Sequence, residues 1–206
     1  MYIAIEGVIG VGKTTLVRLL QTAFQAEILL EEFEENPFLS KFYEDRARYA
    51  FQTQTFFLLS RYHQQRRIHA DARSLIADYT FDKDALFAGI NLRGDELEIY
   101  NRLHDALAEK IRPPDLVVYL RANVNTLMQR IALRDRAYER NMQRTYIEEL
   151  HLAYEDFYRA ARWRSLVLVI NASEMDFVQN TADLQNIETR IRQALNLPPF
   201  QAVLPL

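Results

Sequence analysis

Apolar residues along this chain fall into short continuous runs, separated by longer stretches in which they recur every three or four positions. The runs lie at 2–6, 26–31, 74–78, 115–120 and 165–170. Continuous apolar runs of this length are what strands of a parallel sheet show when both faces are covered. The periodic stretches predict helices opening at about Thr15, over 83–91, from Gly94 to about Arg112, over 125–133, 144–162 and 183–195. Asn36 and Pro37 predict the cap and first turn of a further helix. Residues 49–70 read as one long helix, with Tyr49, Phe51, Phe56, Phe57, Leu59 and Tyr62 spread over more than one face. Such a helix is buried or lies in a subunit interface. Pro113-Pro114 stops one helix, and the prolines of residues 196–206 predict an irregular tail. Strands alternating with helices predict an α/β protein, a five-stranded parallel sheet with helices on both faces. No repeat or linker divides it, so residues 1–206 read as a single domain.

Composition narrows the function classes. The chain has 206 residues, 49% hydrophobic and 26% charged, enough for one sizeable core. Its net charge of -3 argues against nucleic acid as a partner, because binding a phosphate backbone needs a basic face. It has no cysteine, which excludes disulfides and thiolate metal sites. The first strand begins at residue 2, leaving no room for a leader, and no run approaches the ~20 apolar residues of a membrane span. The expectation is a cytoplasmic protein with no membrane partner. Lysine is scarce (Lys13, Lys41, Lys83, Lys110) and the other basic residues are arginine, so the informative feature is where arginines cluster.

The strongest motif follows the first strand. Gly7-Val8-Ile9-Gly10-Val11-Gly12-Lys13-Thr14 matches G-x-x-x-x-G-K-S/T, with Thr15 opening a helix behind it. Three of the chain's five glycines stand here. Glycines let backbone N–H groups close on a phosphate, and the helix N-terminus adds its positive dipole end. The lysine adds a point charge, and the threonine hydroxyl a magnesium ligand. The pattern predicts a nucleoside triphosphate, with Gly7, Gly10, Val11, Gly12, Lys13, Thr14 and Thr15 around it.

Two acids stand at the ends of the second and third runs, Glu31 and Asp78. In an open parallel sheet, ligands gather at that same edge. A phosphoryl-transfer enzyme needs a group to take the acceptor's proton, a magnesium site, and cations over the transferring group. Glu31 or Asp78 can supply the first two. Arg130, Arg134 and Arg136, followed by Arg140, can supply the third as an arginine-rich lid over about 130–144. Arg130 and Arg134 are four apart and share a helix face.

The chain resembles the deoxynucleoside kinase family, including its bacterial members, from Tyr2 to about Asn186. Beyond the P-loop, the likeness rests on Glu31-Glu32-Phe33-Glu34-Glu35-Asn36-Pro37-Phe38-Leu39, on Phe42-Tyr43-Glu44, and on residues 51–61 ending in Ser60-Arg61. Arg130-x3-Arg134-x-Arg136 with Glu139 resembles that family's lid. Met175-Asp176-Phe177-Val178 resembles the loop beside the phosphate donor's base. The resemblance implies a P-loop kinase fold, with ATP and magnesium as cofactors, a deoxynucleoside as substrate, and a homodimer built through the long helix. It implies Glu31 as the base at the nucleoside 5′-hydroxyl, with Tyr43 and Glu139 on the sugar 3′-hydroxyl. Gln54 would read the nucleobase, Asp84 add a second polar contact and Phe87 stack on it. Asp78 would join Thr14 in holding magnesium, Asp176 and Phe177 would flank the donor base, and Arg130, Arg134 and Arg136 would clamp phosphate.

Two positions depart from the family pattern. An arginine usually follows the acid at the end of the third strand, and here Tyr79 stands there. Glu32 replaces the proline that usually follows the base glutamate. Lys83 or Arg61 is then expected to supply the missing positive charge. Two other functions compete with the kinase acting on a nucleoside: a nucleoside-monophosphate kinase, which needs one more arginine in the acceptor pocket, and a non-catalytic nucleotide-binding member of the same fold.

Overall fold

The computed structural model describes residues 1–66, 74–160 and 165–199. Five strands form one all-parallel sheet: β1 (Tyr2–Glu6), β2 (Glu27–Leu29), β3 (Leu75–Ala77), β4 (Leu116–Arg121) and β5 (Leu166–Asn171), in the order β2-β3-β1-β4-β5. Register is set by apolar pairs such as Ile3 with Ile76 and with Leu116. Successive side chains leave a strand on opposite faces. Ile3, Ile5 and Ile76 therefore enter the main core, while Tyr2, Ala4, Leu75 and Ala77 form a second cluster. Helices α1 (Lys13–Phe24), α2 (Leu39–Glu44), α3 (Arg46–Arg66), α4 (Lys83–Asn91), α5 (Gly94–Ala108), α6 (Val124–Arg134), α7 (Arg144–Arg159) and α8 (Thr181–Ala194) pack around the sheet.

The predicted elements are all present, with three corrections. First, β2 and β3 are shorter than the apolar runs. Beyond Leu29 and Ala77 the ladder gives way to bonds that serve the acids: the Asp78 N–H donates to Leu29 O (3.1 Å), and the Glu31 N–H donates to Asp78 Oδ1 (2.8 Å). Second, Asn36 does not cap a helix. Its side chain accepts from the Phe38 N–H (3.0 Å) in a turn, and α2 begins only at Leu39.

The third correction concerns α3. Its phenylalanines predict an apolar buried side, yet Thr53, Gln54, Arg61, Gln64 and Gln65 are buried, while Leu59 is 40% exposed. The cause is what the helix faces. Gln64 Nε2 donates to Leu30 O (3.0 Å) and Gln65 Nε2 to the Tyr2 hydroxyl (3.1 Å), so this part of the polar stripe is satisfied against groups of the first two strands and their ends. The predicted extension of this helix to residue 70, the end of the helix predicted over 144–162, and most of the tail lie outside the described residues.

Candidate active site

The loop after β1 has backbone angles that only glycine takes easily: φ is +146° at Gly7, +88° at Gly10 and +104° at Gly12. A Cβ on Gly7 would stand 2.5 Å from Leu120 O, and one on Gly12 would stand 2.9 Å from the Phe177 ring. The glycines are therefore needed both for the loop's curvature and for the close approach of its neighbours. Lys13 Nζ folds back onto the loop and donates to Gly7 O (2.6 Å) and Val8 O (3.2 Å). Burial first, and then the nearby Lys83 ammonium, push the Lys13 pKa down to about 8.

Two cavities meet over this loop. The first, about 360 Å³, is walled by Lys13, Thr14, Glu31, Tyr43, Gln54, Asp78 and Phe87, with Arg134, Arg136 and Glu139 from the lid side. The second, about 400 Å³, is lined by Val11, Arg130, Asp176 and Phe177 together with Met175 and Val178. Gly10, Gly12, Thr15 and Arg134 border both. Two compartments that touch at a phosphate-binding loop have the layout that direct transfer between two bound molecules requires.

In the first cavity, Glu31 lies between two cations. Arg61 Nε donates to its Oε1 (2.9 Å), and Lys83 Nζ to its Oε2 (2.9 Å). Burial alone would raise its pKa, but Arg61 and then Lys83 hold the carboxyl well below the usual range. Both candidates for the missing charge therefore stand at Glu31. Tyr79 itself points away from the cavity and is fully buried. Its hydroxyl donates to Gln64 Oε1 (2.9 Å), and its ring lies 5.7 Å under the Arg61 guanidinium. The tyrosine backs one of the two cations that pair with Glu31.

Asp78 accepts from Thr14 Oγ at 2.5 Å with one oxygen and from the Glu31 N–H with the other. The threonine hydroxyl and the acid are thus together at the loop's edge. Gln54 is 3% exposed and lines the cavity, and its amide makes no hydrogen bond among the described residues. An amide left open in a buried wall is a recognition group awaiting a partner.

Asp84 does not reach the cavity. It is wholly buried behind Arg61, with which it ion-pairs, and burial pushes its carboxyl up to about 6 despite that neighbour. Any contact with a ligand passes through Arg61.

The lid arginines differ from one another. Arg134 grips both oxygens of Glu139 (2.5–3.1 Å). Arg136 lies 4.1 Å over the Phe33 ring. Arg130 is already committed, donating to Val11 O (3.1 Å), Ala172 O (3.0 Å) and Met175 O (3.0 Å). It ties the loop to the floor of the second cavity, where the sequence suggests a free phosphate clamp. Sequence reasoning missed Arg18, Phe33, Leu39, Phe57 and Tyr138 in the first cavity's wall. Tyr138 stacks on Tyr43 at 6.0 Å and 12°. Arg18 has a signal that was available, being one helical turn beyond Thr14; the aromatics have none.

Among the described residues no helix is long and apolar enough to cross a membrane. The Deoxynucleoside kinase family profile matches residues 3–196. The chain is 32% identical over 201 residues to a deoxyguanosine kinase of Bacillus subtilis, covering 94% of this chain and 97% of that one. It is 33% identical over 207 residues to a deoxyadenosine kinase of Dictyostelium discoideum, covering 97% and 84%. Among solved structures it is similar to deoxyadenosine kinase from M. mycoides with bound dATP, with a TM-score of 0.83, 27% identity and coverage of 93% and 99%. The same enzyme with bound dCTP gives 0.81 at 28% identity, covering 94% and 100%.

Proposed function

The chain belongs to the deoxynucleoside kinase family and so transfers a phosphoryl group from ATP to the 5′-hydroxyl of a deoxynucleoside; from that premise we propose which residues do what, and on which acceptor. The observation that carries the assignment is Glu31, a carboxylate in the wall of the first cavity, beside the loop, with a cation on each oxygen.

The donor's triphosphate lies along the loop from Gly7 to Thr15, with Lys13 leaving the loop carbonyls for the phosphate oxygens. Its base occupies the second cavity beside Asp176 and Phe177. The acceptor occupies the first cavity: Gln54 and Arg61 read the base edge, Phe87 supplies an apolar face, and Tyr43 and Glu139 take the sugar 3′-hydroxyl. Glu31 accepts the proton of the 5′-hydroxyl as its oxygen bonds to the γ-phosphorus, and the bond from that phosphorus to the bridging oxygen of ADP breaks. Arg134 and Arg136 neutralise charge on the group in transit.

Thr14 Oγ and the Asp78 carboxylate are hard oxygen donors, the kind magnesium takes, and they would hold it beside the donor phosphates. The ion supplies charge neutralisation at the phosphate oxygens.

The acceptor is a purine deoxynucleoside in the first instance, as the names of a Bacillus subtilis deoxyguanosine kinase and a Dictyostelium deoxyadenosine kinase suggest. The protein acts in the cytoplasm as one domain and as a homodimer. Support for the dimer comes from α3 and α5, which pack together and carry the exposed apolar side chains Leu59 and Ile99. The monophosphate-kinase alternative is not favoured, because the relatives that the chain matches over nearly its whole length are named as nucleoside kinases. The test is a panel of four deoxynucleosides with ATP and magnesium, read as ADP release. Deoxyguanosine or deoxyadenosine should lead. A leading pyrimidine overturns the acceptor assignment, and ATP binding without turnover on any of the four favours the non-catalytic alternative.

A further inference from the structure

Glu6 is the last residue of β1 and is 0% exposed, yet it lines neither cavity. A carboxylate taken out of water is costly unless its lone pairs are filled. The Glu6 carboxylate is filled by neutral donors. Oε1 accepts from the Thr80 N–H (2.6 Å) and Thr80 Oγ (3.0 Å). Oε2 accepts from the Gly7 N–H (3.2 Å) and the Tyr154 hydroxyl (3.1 Å).

These donors stand on three different parts of the site. Gly7 opens the loop that takes the donor. Thr80 follows Asp78, and its Oγ in turn accepts from the N–H of Lys83, the first residue of α4 (3.2 Å). Lys83 is the residue whose ammonium reaches Glu31. Tyr154 belongs to α7, the helix that follows the lid. One buried carboxylate therefore ties the donor loop, the start of the acceptor-side helix, and the helix behind the lid. Its charge is also among those that favour the protonated form of Lys13.

We propose that Glu6 is a positioning residue that fixes the P-loop relative to the Lys83–Glu31 pair, and that it acts on the phosphoryl-transfer step while leaving the binding of either substrate nearly unchanged. The proposal rests on the kinase reading above. Its physical basis is that transfer depends steeply on how reacting groups are aligned, whereas Glu6 lines neither cavity and so touches neither substrate.

Glu6→Gln keeps the size of the side chain but turns an amide N–H₂ toward a group that is itself a donor. In the full-length protein, kcat on the preferred deoxynucleoside should fall at least tenfold, while both KM values and the ATP dissociation constant move less than about threefold. Thr80→Val, which cuts the relay to Lys83, should give the same split. Tyr154→Phe, which removes a single O–H and keeps the ring, should lower kcat a few-fold with the KM values held. Circular dichroism melts identify a variant that does not fold; in that case Tyr154→Phe and Thr80→Val decide. An unchanged kcat in Glu6→Gln, or a loss confined to the KM for ATP, overturns the proposal. If the unaltered protein phosphorylates no deoxynucleoside, the kinase reading itself fails, and the two outcomes are distinct.

Discussion

The Lys83 ammonium stands 2.9 Å from Glu31 Oε2, on the oxygen that Arg61 leaves free. Of the two cations, Arg61 also ion-pairs with Asp84 and stacks above Tyr79, so its position is set from several sides. Lys83 has Glu31 as its one ion-pair partner among the described residues.

Replacing Lys83 should therefore change the chemical step. With Lys83→Ala, Arg61 still keeps Glu31 ionised near neutral pH, but the carboxyl loses its second source of stabilisation and its pKa rises toward the usual range. The acid limb of the kcat profile should move to higher pH, and kcat at its plateau should fall about tenfold or more. A pH–rate series on both proteins checks this, and unchanged turnover would remove Lys83 from the mechanism.

The open amide of Gln54 predicts a loss that depends on the acceptor alone. Gln54→Leu keeps the bulk of the side chain but offers no hydrogen bond to the base, which leaves a buried base edge unpaired. The kcat/KM for the preferred deoxynucleoside should fall by about tenfold to a hundredfold. The KM for ATP should hold, because Gln54 is remote from the second cavity's wall.

Tyr79 predicts an effect on stability. Tyr79→Phe removes the donor to Gln64 Oε1, leaving that acceptor unpaired in the core, at a cost of roughly 1–3 kcal/mol. Chemical denaturation should show a lower midpoint with the same slope. A fully stable variant would mean that the Gln64 amide finds another partner.

Lys13 predicts proton uptake on donor binding. Its pKa of about 8 in the empty site means that it is largely neutral at pH 9. A bound triphosphate favours the ammonium, so at pH 9 binding should draw about one proton from solution, and at pH 6.5 almost none. Calorimetry in buffers of different ionisation enthalpy reads the uptake directly. No difference between the two pH values would place Lys13 outside the phosphate contacts.

The fold was legible because continuous apolar runs and periodic stretches carry their own geometry, and the P-loop because its glycines answer a backbone need visible in the letters alone. Glu31 and Asp78 were legible for a related reason: each acid ends an apolar run, and the sheet's carboxyl edge is where such ends collect. Gly7, Gly10 and Gly12 stand where the motif puts them. What the letters do not carry is the direction of a side chain that answers to tertiary partners. The phenylalanines of α3 outweigh its glutamines in any apolar tally, but the helix meets a polar edge and buries Gln54, Gln64 and Gln65. Arg130 and Arg134 share a helix face as their spacing requires, yet backbone carbonyls of distant loops claim the first, and a carboxylate claims the second. Asp84 lies close to Gln54 and Phe87 in function by sequence analogy, while in space Arg61 comes between it and the cavity.

The site's charges sit at two depths, and ionic strength separates them. Around Glu31 the Arg61 and Lys83 side chains are 4% and 6% exposed, so mobile ions do not reach between them. The lid arginines Arg134 and Arg136 are 34% and 30% exposed, within reach of a counterion atmosphere about 10 Å thick at 0.1 M salt. Added salt therefore screens the charges of Arg134 and Arg136 long before it reaches those around Glu31. An ionic-strength series thus separates the two groups without a single substitution: salt weakens whatever Arg134 and Arg136 contribute, while the ion pairs around Glu31 keep their strength.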